Sequence, residues 1–405
     1  MLYFGFSGLV MSILVINLYF FFKNAQLFAP EPLGKKDVLI CGEKIIKIDD
    51  KIKLPSSWKI RIINLEERLL TPGFFDHHVH IAGAGGEGGA ATRTPPVQLS
   101  TLITSGVTSV VGLLGTDGIT RSRKNLLMKV KGLRQEGISA WMYVGSYEIP
   151  TPTITGAINS DLALIEEVIG VGEIAISDHR SSCPTIQELI RIATQARIGA
   201  MLGNKPGIVH IHIGEGKKGF KPILEAVNNS DIPLSQFIPT HVNRSKDVFQ
   251  EAIAFGLKGG YLDITTGVSP DYGFKNAVKP SEAVVKLLEA GISPERITLS
   301  SDGNGSMPDF DEEGNLIGLM IAPVSSIHHV FKDLILHEDL DISQALKFVS
   351  TNIADKFGFS HKGRVSEGAD ADLLVFNENY DFDYVVARGK IMIEEGKLIK
   401  KGTFE

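Results

Sequence analysis

The stretch GFFDHHVH, residues 73–80, decides how the rest of the chain is read. Apolar Phe74 and Phe75 lead into His78 and His80, two positions apart. Side chains alternate faces along a strand, so both imidazoles point one way and His77 the other. Similar apolar runs recur at intervals of roughly thirty residues. They are TSVVGLL (108–114), AWMYVGSY (140–147), EIAISDH (173–179), GIVHIHIG (207–214), FIPTHVN (237–243), GYLDITT (260–266) and RITLSSDG (296–303). Between them, SDLALIEEVIG, TIQELIRIATQAR and SEAVVKLLEAG carry helical spacing, with Ser or Thr at several N-cap positions. Eight strand–helix units over residues 72–365 predict an α/β fold, a (β/α)8 TIM-type barrel. A doubly wound open sheet would not need eight regular repeats.

Outside this span the pattern shortens. VLICG, KIIKID and KIRIINL near the start, and DADLLVF, DYVVARGK and KIMIEEGKLI near the end, alternate apolar with polar residues. Chain termini often meet, so residues 23–71 and 366–405 are expected to build one small β-sandwich domain. Residues 1–22 carry no charge and form a hydrophobic N-terminal extension. Its length would let a helix cross a bilayer. A membrane tether, a degenerate secretory signal and an extension upstream of the true start all fit it.

The chain has 405 residues, 43% hydrophobic and 22% charged, with a net charge of −6. Its basic residues are scattered, which argues against nucleic acid as a partner. Cys41 and Cys183 lie far apart in sequence, so neither a disulfide framework nor a cysteine metal site is expected. A reducing, cytoplasmic location follows, with anchoring through residues 1–22 as the alternative.

In a barrel, catalytic groups gather where strands end. The first run ends in His78 and His80, the fourth opens with Glu173, the fifth ends near His212, the sixth holds His241 and the eighth ends at Asp302. Four imidazoles and two carboxylates from five strands suit two divalent ions, which need terminal imidazoles, a bridging carboxylate and an open edge for water. Such ligands favour zinc and related metals. Neighbouring histidines read otherwise. His77 faces away and is structural; His210 shares a face with His212 but lies deeper, as a core histidine. His179 could support a ligand or be one. His328, His329, His337 and His361 follow the barrel strands and are expected at the surface. GAGGEG (83–88) matches a dinucleotide fingerprint, but more glycines and TRTPP follow in place of a helix, so phosphate has no helix N-terminus to meet. A loop over the site, with Glu87 able to meet a ligand, is the better reading.

PGFFDHHVH and GRVSEGADADLLVF resemble the two ends of amidohydrolase-superfamily enzymes. GGEGGAATRTP, TSVVGLLGTDGITR, GISAWMYVGSYEIPTPTITG, AISDHRS, PTHVNR, GGYLDIT and LSSDGNGS resemble, in order, the isoaspartyl (β-aspartyl) dipeptidases. The likeness runs from about residue 25 to residue 405. It implies that His78 and His80 bind the more buried ion and His212 and His241 the second. It makes Asp302 a ligand that also shuttles a proton, and Tyr147 the group that steadies a developing oxyanion. Glu87 would take the substrate ammonium, while Thr116, Arg180, Arg244 and Ser306 would line the substrate site, the arginines gripping its carboxylates. The implied substrate is a small isoaspartyl dipeptide, the implied assembly a homo-oligomer. One position departs: where typical members carry a lysine that becomes carboxylated, this chain has Glu173, a ready carboxylate on a shorter arm. A cyclic amidase or deaminase of the same superfamily, hydantoinase- or dihydroorotase-like, is the alternative activity, and a metal-free scaffold the alternative class.

Overall fold

The computed structural model describes residues 19–58, 60–311 and 316–405. Eight parallel strands form the barrel: β6 (Phe74–Val79), β7 (Val107–Gly112), β8 (Ser139–Val144), β9 (Val168–Ile176), β10 (Ile208–Ile213), β11 (Phe237–Thr240), β12 (Leu262–Thr265) and β13 (Ile297–Ser300). They follow five strands of the small domain: β1 (Tyr19–Phe28), β2 (Pro32–Cys41), β3 (Lys44–Asp49), β4 (Arg61–Asn64) and β5 (Leu69–Pro72). Strands β6 to β11 pair in sequence order, and β12 pairs with β13. Backbone hydrogen bonds help close the two seams, Val242 N–H to Asp263 O at 3.3 Å and His80 N–H to Gly303 O at 2.9 Å. Asp76 reinforces the second seam by accepting from Ser301 Oγ at 2.5 Å. All eight runs expected from the sequence are strands. The fourth begins earlier than expected, at Val168, so Glu173 lies inside β9 and not at its start. The SDLALIEEVIG segment (160–170), expected to be helical, is divided: its helix ends at Leu164 and β9 begins at Val168.

The barrel strands are apolar almost throughout because both faces are covered. Helices such as Arg123–Glu136, Ile186–Gly203 and Lys246–Gly256 lie against the outside and share one core with the strands. The longest starts at a reciprocal cap: Thr185 Oγ1 accepts from Glu188 N–H while Glu188 accepts from Thr185 N–H. That arrangement satisfies two helix-end donors at once.

The two chain ends join in one nine-stranded sheet, through β16 (Leu373–Phe376) against β5. β17 (Phe382–Ala387), β18 (Lys390–Glu394) and β19 (Lys397–Leu398) extend it. Its core includes Phe20, Phe22, Leu27, Val38, Leu373 and Tyr384. The apolar run 1–22 is therefore split. Residues 1–18 lie outside the described residues, whereas Tyr19–Phe22 open β1 and pair with Val38–Cys41. Aromatic residues suit a half-buried strand, and here they fill the sheet's core. Among the described residues, no helix is long and apolar enough to cross a membrane.

Candidate metal centre and substrate cavity

Strand register brings the chemistry together at the mouth of the barrel. Asp302 Oδ1 lies 3.2 Å from His78 Nε2 and 3.0 Å from His80 Nε2. Glu173 faces both sides: Oε1 is 2.9 Å from His212 Nδ1 and 3.0 Å from His241 Nε2, while Oε2 is 3.6 Å from His78 Nε2. All six residues expected from the sequence thus meet. His241 and Asp302 adopt left-handed backbone angles, φ 61° and 54°. Such conformations cost about 1–3 kcal/mol in non-glycine residues and persist only where surrounding structure enforces them.

The donor chemistry fits metal ions. His78 Nε2, Glu173 Oε2 and Asp302 Oδ1 are buried and lack hydrogen-bond partners. His78, His80 and Asp302 form one group close enough to hold an ion, and His78, Glu173 and His241 another. Burial opposes charging His78, but Glu173 and Asp302 outweigh it and raise its pKa to about 9. Against the same burial, His78 and the other imidazoles hold the Glu173 and Asp302 carboxyls well below the usual range. These are two views of one attraction, in which a proton sits where a cation would. His241 goes the other way: burial outweighs the Glu173 contact and lowers it to about 4.

Above this floor lies a cavity of about 300 Å³, lined among others by Glu87, Thr116, Tyr147, Arg180, Arg244 and Ser306. Every substrate residue implied by the resemblance reaches it. The Tyr147 hydroxyl is 2.6 Å from His212 Nδ1. Burial first, then Glu173, pushes that phenol well above its ordinary pKa, so it retains its proton. Arg180 stacks its guanidinium over the Tyr147 ring at 5.5 Å and approaches Glu87 at 3.6 Å. Arg244 Nη1 donates to Ile213 O at 2.8 Å, while its buried Nε has no hydrogen-bond partner and lies 3.7 Å from Glu215 Oε1. The glycine-rich loop bends where side chains cannot go: a Cβ on Gly83 (φ 85°) or Gly85 (φ 75°) would come within 2.4 Å of a backbone oxygen. Arg121 holds this loop by donating to Ala82 O, Ala84 O and Thr94 O.

Several neighbours differ from expectation. His77 does not turn outward. The β6–β7 register shifts between Asp76 and Val79, which interrupts strict alternation, and His77 reaches Asp263 inside the barrel at 2.8 Å. His179 is 89% exposed, with Nδ1 3.5 Å from Asp178 Oδ1, and does not itself steady a ligand histidine. Its neighbour Asp178 does so instead: Oδ2 meets His212 Nε2 at 2.9 Å while the carboxylate takes two bonds from Arg180. His328 is buried, not superficial; its Nε2 lies 2.7 Å from Tyr380 O and its ring packs on Phe382. His329, His337 and His361 are exposed as expected. Sequence reasoning also passed over Gly115, where a Cβ would stand 2.9 Å from His80 Cε1. Its signal was faint, a glycine directly after the second barrel run.

A barrel whose mouth gathers imidazoles and carboxylates in this way defines a metal-type hydrolase of the amidohydrolase superfamily. In agreement, the Amidohydrolase family model matches residues 207–392. A dihydroorotase of Lactiplantibacillus plantarum is 21% identical, covering 94% of this chain and 92% of that protein. A D-hydantoinase from a Bacillus species shares the fold at 14% identity and a TM-score of 0.68, over 94% of this chain and 97% of that one. A β-aspartyl dipeptidase of Fervidobacterium islandicum AW-1, solved with a β-Asp-Leu dipeptide, is 40% identical over 96% of this chain and 100% of that one, with a TM-score of 0.87. The chain belongs to the β-aspartyl dipeptidase family of that superfamily.

Proposed function

We propose that this protein hydrolyses the β-linked amide of isoaspartyl dipeptides, releasing aspartate and a second amino acid. Two divalent ions, zinc being the expected metal, would be held by His78, His80 and Asp302 on one side and by His212 and His241 on the other, with Glu173 shared between them. When bound, such ions polarise a carbonyl and lower the pKa of water toward neutrality.

The chain's own residues supply the rest. An isoaspartyl dipeptide carries one ammonium and two carboxylates. Glu87 pairs with the ammonium, and Arg180 and Arg244 take carboxylates, with Thr116 and Ser306 lining the remaining wall. Arg180 exchanges part of its contact with Glu87 for the ligand. Tyr147, kept protonated, donates to the oxyanion that develops as the amide carbonyl becomes tetrahedral. Asp302 accepts the proton of the attacking water and returns it to the leaving nitrogen as the C–N bond breaks.

One observation supports this reading above others: a carboxylate and two guanidinium groups share a cavity whose floor carries unpartnered buried ligand atoms. Charged walls of both signs suit a zwitterion with extra negative charge better than a neutral cyclic imide. The test is metal analysis alongside hydrolysis of β-Asp-Leu, hydantoin and dihydroorotate. About two ions per chain and preference for the dipeptide are expected; preference for a cyclic amide would move the chain to the hydantoinase- or dihydroorotase-like alternative, and a metal-free protein would end the proposal. Homo-oligomeric assembly is part of the same expectation. In β15 (Leu316–Ile321), which follows β14 (Ser306–Phe310), Ile317, Leu319 and Ile321 are exposed at alternate positions, an apolar strip that association would cover. Light scattering that finds only monomers would remove that part.

A further inference from the structure

Beneath the candidate metal floor lies a second layer of buried polar groups that the proposed chemistry does not use. His210 Nε2 is 2.8 Å from His78 Nδ1. The His210 ring lies nearly flat on Tyr143, centroids 4.9 Å apart with 23° between planes. His77 meets its edge at 5.5 Å. His77 in turn is held by Asp263 at 2.8 Å. The arrangement follows from the sequence. His210-Ile211-His212 on β10 repeats the spacing of His78-Val79-His80 on β6, so each strand points two imidazoles into the barrel at successive depths.

His77, His210 and Asp263 are close enough to share an ion. However, both Asp263 oxygens are already engaged, Oδ1 by Thr298 and His77, Oδ2 by Thr240 and Ser300. The carboxylate this layer would need for an ion is thus fully engaged, and the layer is not read as a third metal site.

A hydrogen-bonding argument assigns it another task. A histidine that offers Nε2 to a metal carries its proton on Nδ1 and needs an acceptor for it. The acceptor within reach of His78 Nδ1 is an imidazole nitrogen, where a carboxylate or a carbonyl is the usual partner. We propose that His210 is a positioning residue: it accepts the Nδ1–H of His78 and so fixes the tautomer and ring orientation with which His78 Nε2 faces Glu173 and Asp302. His210 then carries its own proton on Nδ1, a buried atom without a hydrogen-bond partner. A neutral acceptor leaves His78 a weaker electron donor than a carboxylate would, so the ion it holds keeps more of its charge. This inference rests on the proposed role of His78 as a ligand.

The experiment uses the full-length, metal-loaded protein and measures ion release into a chelator, with elemental analysis of what remains. His210→Leu removes the acceptor and should weaken ion binding about 10–100-fold, the usual loss of affinity without such a partner, seen as faster release into the chelator. His210→Gln places an amide oxygen near the same point and should restore most of the retention. Parent-like retention by His210→Leu, or equal loss in both variants, overturns the proposal. So does an ion count of three per chain in the parent, which would make His210 a ligand. Should His210→Leu not fold, nitrogen NMR of the histidine-labelled parent decides: the proton on His210 Nδ1 is expected, and a proton on Nε2 refutes it. A parent that binds no ions would instead defeat the functional reading, a separate result.

Discussion

Tyr147 and Glu173 are the residues through which the proposed chemistry is tested most directly. The Tyr147 phenol stays protonated at neutral pH and lies beside the ligand cluster, so it is a donor waiting for negative charge. Removing one such donor costs about 10²–10³ in turnover. Tyr147→Phe should lower kcat by that order with β-Asp-Leu while changing KM little; unchanged kcat removes the residue from the mechanism. Glu173 supplies a carboxylate without carbon dioxide. Turnover and ion content should therefore be the same in protein prepared with and without bicarbonate. A bicarbonate requirement would mean that Glu173 does not serve as the shared carboxylate.

At the scale of elements, the strand most at odds with its surroundings in sequence is β1. It emerges from an uncharged run, yet Phe22 is fully buried and meets Tyr384 edge to face at 5.8 Å. Since Tyr384 belongs to β17, this contact ties the start of the chain to its end. Truncating a buried phenylalanine costs about 3–5 kcal/mol. Phe22→Ala should lower the denaturation midpoint accordingly and melt the small domain first, as read by urea titration. A neutral effect would show that residues 19–22 are dispensable to the sheet. β14 and β15 illustrate the opposite case: the hairpin was not anticipated, although Ser306 at its start was already expected in the substrate site.

At the scale of the whole molecule, the metal centre couples folding to pH. In the ion-free protein His78 has a pKa of about 9, above the roughly 6.5 of an unfolded histidine. A raised pKa means that the folded state holds the proton more tightly. The stability this gives is complete below about pH 6.5 and fades as pH rises through 9. Ion-free protein should accordingly lose thermal stability between pH 6.5 and 9, whereas loaded protein, with His78 already deprotonated, should not. Ion uptake at pH 7.5 should release a proton from His78, detectable with an indicator dye. A melting temperature of the ion-free protein that rises over this interval, or uptake without proton release, would contradict the assignment.

Strand periodicity and the position of polar residues at strand ends determined much in advance. The barrel, the meeting of His78, His80, Glu173, His212, His241 and Asp302, and the pairing of both chain ends all follow from alternation and from the geometry of parallel strands. What alternation cannot supply is the local irregularity that breaks it and the loop path that follows a strand. A register shift in β6 brought His77 inward; the turn after β9 put Asp178, and not His179, against His212; and packing across the barrel set His210 beneath His78. Each depends on distances between strands far apart in the chain, which no local pattern encodes. Tertiary structure alone decided them.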